Sequence, residues 1–384
     1  MKILGIETSC DETAAAVVED GVRILSNVVV SQIDIFAEYG GVIPEVAARN
    51  HLEVMMPVVN KALSDAGCTW DDIDAIAVTH APGLLGSLLI GTLTARTLAI
   101  LHDKPLYAVH HLKSHVYANW LNPQTMGSVA ISNSRPRPSG PSPRADGANS
   151  RPVALRNAAT SGYWRHPSSP LFPILALVVS GGHTQILYMP AHNQFEIIGT
   201  TRDDAVGECF DKVAKILGLP YPGGPTIAKA ALLGDAKKYK LPHPKIEGLD
   251  FSFSGLKTAV LRAVQKELGL PISHPSYDLK NHLSEKQVVD FAASFQKTAV
   301  EILCEKLALA MEQYPDVKSV VIAGGVSANK ALREALPEAY FPEPSLSGDN
   351  GAMVAAAAYY EIISGVEPVD PYSLNIYPRI SIEK

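Results

Sequence analysis

Cysteine is scarce in this sequence, with four residues among 384 and no CxxC pair. This scarcity predicts reduced thiols in a cytoplasmic protein rather than a disulfide framework, at Cys10, Cys68, Cys209 and Cys304. The N-terminus has no basic region followed by an apolar stretch, and it begins at once with the strand-like KILGI, so we expect no signal or transit peptide. We also find no apolar run long enough to span a bilayer and expect no membrane association.

Charge is sparse and unevenly distributed. Charged residues make up 19% of the chain and hydrophobic residues 47%, a balance typical of globular proteins. The net charge of −6 gives no sign of nucleic-acid binding. However, residues 122–172 hold six arginines and one acid, a net charge of +5 that leaves −11 for the rest. An acidic protein can still bind RNA through one basic surface.

The length of 384 residues predicts two domains. Strand and helix patterns alternate along both halves, which indicates an α/β fold. The segments ILGIETSCDETAAAVV and LALVVSGGHTQILYM share an outline of apolar strand, small polar turn and apolar strand. We therefore predict an internally duplicated fold with two lobes and a cleft between them.

The predicted lobes are separated by a segment of different composition. We place the first lobe at 1–121 and the second at 173–349, and we expect 350–384 to pack back on the first lobe. Residues 122–172 are rich in Pro, Ser, Arg, Gly and Asn and lack apolar periodicity. This composition predicts a basic low-complexity insertion, either a linker or a disordered segment.

Four turns of the sequence could contact a nucleotide. The hairpins GIETSCDET at 5–13 and VSGGHT at 179–184 offer backbone N–H groups and hydroxyls to phosphates. The turns PGGP at 222–225 and AGGVSAN at 323–329 stand next to helices, and Asp211 could accept a ribose hydroxyl. Each turn alone also fits an ordinary hairpin, helix cap or strand–helix connection. Two facing hairpins, one opening each half, would grip the phosphates of one nucleotide.

The segment HHLKSH at 110–115 suggests a metal site. His111 and His115 are four residues apart and share one helix face. Asp349, just before a predicted helix, is the best third ligand, although it also fits a helix N-cap. Two imidazoles and one carboxylate leave positions open for substrate, as catalytic iron or zinc sites require. His110 could replace His111, but it has no partner four residues away.

Together these segments resemble one family, the tRNA N6-adenosine threonylcarbamoyltransferases (TsaD family), formerly called O-sialoglycoprotein endopeptidases. The resemblance covers nearly the whole chain except 122–172 and rests on GIETSCDETAAAVV, GGVIPEVAARNHL, APGLLGSLLIG, HHLKSH, LVVSGGHTQI, DDAVGECFDKVAKILGLPYPGGP, FSFSGLKTAV, AGGVSANKALR and SGDNGAMVA. The family implies an actin-like ATPase fold, shared with sugar kinases and heat-shock ATPases. Lys113 and Ser114 stand where the family commonly has an acidic residue and glycine, but the ligands are intact.

The resemblance also implies an activity. Family members transfer the threonylcarbamoyl group of L-threonylcarbamoyl-adenylate to the exocyclic amine of the adenosine 3′-adjacent to the anticodon, in tRNAs that read ANN codons. The product is t⁶A, and AMP is released. By motif, the family implies a divalent metal at His111, His115 and Asp349, with Fe²⁺ favoured and zinc or manganese as alternatives. It implies adenylate contacts at Val178, Val179, Ser180, Gly181, Gly182, Asp211, Gly224 and Asn329. Asp11 and Glu12 would line the catalytic region as candidate bases.

The family further implies partners. Besides tRNA, bacterial members work with a TsaB-type paralogue and a TsaE-type ATPase. The helix in GGVIPEVAARNHLEVMMPVVNKAL has an apolar face with Met55 and Met56, which is either a partner face or core packing. The arginines of 122–172 follow the metal helix, so they either contact tRNA phosphates or belong to a neutral insertion.

Three other functions fit parts of the sequence. A metalloprotease of the HExxH type needs glutamate after its first histidine, whereas Leu112 follows His111. A small-molecule kinase of the same fold would not need the histidine pair, and a non-catalytic scaffold would not need intact ligands. The sequence contains no evident Ser/His/Asp or Cys/His arrangement, so we expect no covalent intermediate.

Overall fold

The computed structural model describes residues 1–122 and 169–383, and nine β-strands in these ranges form two sheets. The first sheet contains β1 Lys2–Glu7, β2 Glu12–Glu19, β3 Arg23–Ser31, β4 Ala75–Ala81 and β5 Leu106–His110. The second contains β6 Ile174–Val179, β7 Thr184–Met189, β8 Glu196–Thr200 and β9 Ser319–Ala323. The strand orders are β3-β2-β1-β4-β5 and β8-β7-β6-β9.

The two sheets repeat one pairing pattern. Strand β1 pairs antiparallel with β2 and parallel with β4, and β6 pairs in the same way with β7 and β9. A parallel bridge between Val321 and Tyr340 lies beside β9, where β5 lies beside β4 in the first sheet. This repeat confirms the predicted α/β class and the duplication into two lobes.

Ten α-helices surround the sheets in the described part of the chain. They are α1 Ile33–Tyr39, α2 Pro44–Asp65, α3 Leu85–His102, α4 His111–Tyr117, α5 Val206–Leu217, α6 Gly223–Ala231, α7 Ser254–Glu267, α8 Glu285–Gln313, α9 Lys330–Ala335 and α10 Gly351–Ile363. The sequence pattern predicts helices near 44–66, 86–102, 204–217, 225–233, 284–313 and 351–363, and helices that begin near His111 and Ala328, but it does not predict α1 or α7.

Successive strand residues point to opposite faces of a sheet, so each buried strand contributes side chains to two hydrophobic layers. In β6, Leu175 and Leu177 pack towards the outer helices of the second lobe, whereas Ala176 and Val178 pack into the layer between the sheets. That inner layer contains α10 and α4. Seven successive residues of α10, 352–358, are buried there, and five of them are alanines, which lets the helix lie close to strand backbone.

Helix α3 corrects the expectation about apolar runs. It is 18 residues long and, by length and composition alone, could cross a membrane. Its buried residues, such as Leu88, Ala95 and Leu98, face the protein interior. A core helix of this length passes the same test, so the property is weak evidence for a membrane span.

The chain after α10 contacts both lobes. Val369 N donates to Leu106 O at 2.8 Å, and Tyr377 N donates to His80 O at 3.0 Å, both in the first lobe. At its far end, Glu383 Oε1 accepts from Ile197 N of the second lobe at 2.9 Å. Residues 377–383, which we call the C-terminal strap, therefore run from one lobe to the other.

Candidate metal centre and interlobe cleft

Strand β5 passes directly into α4, and His110 joins the two elements. Its Nδ1 accepts from Leu112 N at 3.2 Å, and its Nε2 lies 3.3 Å from Ile380 O. His110 therefore caps α4 and uses both ring nitrogens in protein contacts. The next residue begins the helix, where His111 and His115 lie one turn apart with ring centroids separated by 4.6 Å.

Asp349 completes the cluster, from a loop more than two hundred residues away in sequence. Its Oδ1 lies 3.1 Å from His115 Nε2 and 3.7 Å from His111 Nε2. The neighbouring residue caps α10, because Asn350 Oδ1 accepts from Met353 N at 3.0 Å. Asn350, and not Asp349, therefore caps α10, and the Asp349 carboxylate is free to bind a ligand.

The three side chains fit a divalent metal ion. Their donor atoms lie within 4.8 Å of one another. Both ring nitrogens of His115 are buried: Nδ1 has no hydrogen-bond partner among the described residues, and Nε2 lies 3.1 Å from Asp349 Oδ1 without the alignment of a hydrogen bond. Leaving buried polar atoms unpaired is costly, and a metal ion would satisfy the nitrogen that faces Asp349. Two nitrogens and one carboxylate oxygen suit iron, zinc or manganese.

The charges of His111 and Asp349 shift each other's pKa values. Burial lowers the pKa of His111, but the charges of Asp349 and Glu7 outweigh it and raise the pKa to about 9. Burial raises the pKa of Asp349, but the adjacent imidazoles reverse this effect and lower the pKa to about 2. A metal ion bound here would displace the proton held by His111.

Glu7 contacts the ring nitrogen of His111 that does not face Asp349. The sequence did not predict this contact, although Glu7 lies in GIETSC. Its Oε2 is 3.3 Å from His111 Nδ1. The carboxylate is fully buried and accepts from Ser9 N and Thr79 Oγ1. With Nδ1 directed at Glu7, the Nε2 of His111 is left for a metal.

Replacing Glu7 by glutamine should weaken metal binding about 10- to 100-fold, because a neutral amide supports the imidazole less well than a carboxylate. Competition with a chelator measures this affinity directly. Glu19→Gln, a change at an acid on the far end of β2, is the control and should leave the affinity unchanged. Equal metal affinity in Glu7→Gln and the unaltered protein would show that Glu7 does not support the site.

The turn after β6 is the exposed part of the second hairpin. Ser180 Oγ accepts from His183 N at 3.1 Å and closes the turn. At Gly181 and Gly182, an added Cβ would meet no described atom within 4 Å, so a ligand has room there. Val178 and Val179 are buried strand residues paired within the sheet. Ser180 is buried and its N–H donates to His183 O at 2.8 Å, so exposed backbone for an anion comes from Gly181 and Gly182.

Asp211, on α5, holds the next predicted turn. Its Oδ1 accepts from Gly223 N at 2.7 Å. At Gly223 an added Cβ would lie 2.6 Å from backbone atoms of α5, whereas Gly224 faces open space. Asp211 thus fixes the turn and Gly224 provides room for a nucleoside.

Asn329 has two protein partners in this structure. Its Oδ1 accepts from Leu332 N at 3.2 Å and caps α9. Its Nδ2 donates to Gln296 Oε1 at 2.9 Å. A ligand contact by Asn329 would have to use the remaining amide hydrogen or coexist with these bonds.

Glu12 is the first residue of β2, and Asp11 directly precedes it. Burial raises the pKa of Glu12, and the charges of Asp11 and Asp349 raise it further. Burial also raises the pKa of Asp211, to which the charge of Asp11 adds from the opposite lobe. Carboxylates from both lobes are therefore close enough to influence one another.

Lys113, the unusual residue of the histidine motif, points away from the metal ligands. Its Nζ lies 3.3 Å from Asn193 Oδ1 and 3.9 Å from Glu361 Oε1, and it sits over the Phe195 ring. Lysine in place of an acidic residue at this position therefore alters a contact with the second lobe and leaves the metal-donor atoms in place.

A second group of potential ligands lies in the loop between α7 and α8. The Nε2 atoms of His274 and His282 are each 2.9 Å from Asp278 Oδ2. All three side chains are partly exposed, and their spacing of four residues was the signal that sequence reasoning overlooked. This cluster serves below as a comparison for the buried one.

The fold and the site define a two-lobed α/β protein with a candidate metal centre beside open glycine turns. The family model for TsaD, tRNA N6-adenosine threonylcarbamoyltransferase, matches residues 23–132 and 155–356. A relative of that name from Symbiobacterium thermophilum is 44% identical, over 99% of this chain and 96% of its own. A relative of the same name from Thermomicrobium roseum is 43% identical, over 95% of this chain and 93% of its own. Another, from Dehalococcoides mccartyi, is 44% identical, over 100% of this chain and 99% of its own. The chain therefore belongs to the tRNA N6-adenosine threonylcarbamoyltransferase family.

These similarities confirm the predicted family and enzyme class, a transferase. With the paired sheets, they also confirm an actin-like α/β fold of two lobes. The family match omits 133–154, within the predicted insertion at 122–172. Residues 123–168, which carry the proposed arginine contacts with tRNA, lie outside the described residues. The individual site assignments stay predictions.

Proposed function

We propose that the protein transfers the threonylcarbamoyl group of L-threonylcarbamoyl-adenylate to the exocyclic amine of the adenosine 3′-adjacent to the anticodon, in tRNAs that read ANN codons. AMP is the second product. The observation that supports this reaction best is the position of Asp349. It brings a metal-binding cluster together in a cleft bordered by glycine turns that leave room for a nucleotide.

The cleft offers separate groups for each part of the carrier. The backbone N–H groups of Gly181 and Gly182 bind the phosphate and stabilise its charge as AMP departs. The turn held by Asp211 admits the nucleoside beside Gly224. His111, His115 and Asp349 would hold a divalent ion, which we propose to be Fe²⁺ and which would supply Lewis-acid polarisation of the carbamoyl or phosphate oxygens.

The acceptor amine must lose a proton during transfer, and we assign this proton to Asp11 or Glu12. The assignment is supported by their place in the first lobe, where Glu12 begins β2 and Asp11 directly precedes it. The raised pKa of Glu12 brings it towards the range in which a carboxylate is an effective general base.

The test uses purified protein with its accessory proteins, freshly made carrier adenylate and unmodified tRNA. We expect t⁶A in a tRNA that reads ANN codons and AMP in equal amount, and neither product with a tRNA that reads other codons. ATP consumption with a small-molecule acceptor would instead indicate a kinase. Peptide cleavage without tRNA would indicate a protease, and either result would overturn the assignment.

We propose that a paralogous accessory protein binds an apolar surface formed by α2 and α3, which we call the α2/α3 face. Leu52 and Met56 on α2 and Leu89 and Leu93 on α3 are exposed, and the two helices touch at Ala48 and Gly86. Met55, by contrast, is buried in the core. An exposed apolar patch of this kind is typical of a protein interface. Because the substrate is tRNA, we place the complex in the cytoplasm.

The double variant Met56→Glu and Leu89→Glu should weaken binding of the paralogue about 100-fold or more, because it places charges inside an apolar interface. Isothermal titration with the paralogue measures the change. Leu233→Glu, at an exposed leucine of the second lobe, is the control. The α2/α3 face is not the interface if the double variant and the control bind equally well.

A further inference from the structure

A cavity of about 520 Å³ lies at the edge of the cleft beside the candidate metal centre. Its wall combines Pro82 and Gly83 of the β4–α3 turn, His183 of the β6–β7 hairpin, and 378–381 of the C-terminal strap. Both lobes and the strap therefore contribute to one open cavity, to which the reaction proposed above assigns no group.

The cavity is connected to the metal centre in two ways. Ile380 O in its wall lies 3.3 Å from the Nε2 of His110, the residue that precedes the ligand His111. His183 forms another part of the wall, and burial, followed by the charges of His111 and His115, lowers its pKa to about 4.

Arg379 provides the fixed positive charge of this wall, whose other members are proline, glycine, isoleucine, serine and a histidine of lowered pKa. The side chain is exposed, and no carboxylate of the described residues forms an ion pair with it. An unpaired guanidinium beside a cavity is suited to bind an anion, because its planar fork matches a carboxylate in two hydrogen bonds.

The strap holds Arg379 in place. Gly83 N donates to Pro378 O at 3.3 Å on one side, and Ile382 is buried in the inner layer on the other. The bond between Ile197 N and Glu383 Oε1 fixes the end of the strap on the second lobe. The backbone of Arg379 is therefore anchored on both sides rather than carried by a free tail.

We propose that Arg379 is a specificity-determining residue that binds the carboxylate of the threonyl moiety. The inference rests on the proposed function. The carrier has two anionic groups, a phosphate that leaves with AMP and a carboxylate that stays with the transferred group. The turn at 180–182 accounts for the phosphate. The carboxylate needs a cation near the metal centre, and Arg379 borders a cavity of sufficient size beside it.

The test compares two carriers in the complete enzyme with its accessory proteins. One is L-threonylcarbamoyl-adenylate, and the other is the same molecule with its carboxylate replaced by a carboxamide. In Arg379→Gln we expect the KM for the natural carrier to rise about 10- to 100-fold, the size of a lost charge-assisted hydrogen bond. The preference for carboxylate over carboxamide should fall by the same factor, while the KM for tRNA stays unchanged. Arg379→Lys should recover part of the preference.

Lys266→Gln, which removes an exposed positive charge from α7, is the control and should keep both KM values. Unchanged carrier discrimination in Arg379→Gln would overturn the proposal, and a raised KM for tRNA alone would assign Arg379 to an RNA phosphate instead. If the unaltered enzyme makes no t⁶A from either carrier, the proposed function fails, which is a different result from loss of discrimination.

Discussion

Replacing Asp349 by alanine should lower the rate of threonylcarbamoyl transfer about 100- to 1000-fold, the effect of losing several kcal/mol of Lewis-acid stabilisation. The carboxylate is one of three donors, and its Oδ1 is the atom that lies near both imidazoles. Without it, two histidines remain, and we expect the metal content to fall from roughly one equivalent towards zero. Metal analysis of the purified protein and single-turnover formation of t⁶A measure the two effects together.

Asp349→Asn keeps the shape of the side chain and separates loss of charge from loss of packing. It should lose metal and activity nearly as strongly as alanine, with little change in thermal stability. Asp278→Asn is the control, because it removes the central carboxylate of the partly exposed cluster with His274 and His282. If Asp349→Asn retains full metal content, or if Asp278→Asn alone removes the metal, the buried cluster is not the metal centre.

The candidate site was predictable from sequence to the extent that local spacing controls geometry. His111 and His115 are four residues apart, so a helix places them together whatever the rest of the fold does. Asp349 could be proposed only from its motif, because its approach depends on packing of α10 between the sheets. The contact between Glu7 and His111 joins the end of one strand to the start of a helix, and no local pattern encodes it.

The fold was predictable where continuous apolar runs mark strands that are buried on both faces, as in β1, β2 and β6. The missed elements have weaker patterns. Helix α1 is only seven residues long, too short for helical periodicity to be seen. In α7 the buried residues Leu256, Val260 and Val264 recur every four positions, but the preceding FSFSG favours a turn or strand. The apolar length of α3 was underestimated because Arg96 interrupts it.

Gly351→Ala should destabilise the protein by about 1–3 kcal/mol, because a methyl group has no space at the start of α10. Its Cβ would lie 2.5 Å from Ala16 N and 2.6 Å from Ala15 C, both backbone atoms of β2. The strand cannot yield without disturbing the first sheet, so the helix must move instead. We expect the thermal midpoint to fall by roughly 2–8 °C.

The same change should also reduce catalysis, because Gly351 lies two residues after Asp349 and directly after the cap Asn350. A shift of the first helical turn moves the Asp349 carboxylate relative to His115, which stays fixed on α4. Gly348→Ala is the control: it lies in the same loop, and its Cβ would meet no described atom within 4 Å. That variant should change the unfolding free energy by less than about 0.5 kcal/mol. Equal thermal midpoints for the two variants would contradict the close packing of α10 against β2 and, with it, the structural basis for the position of Asp349.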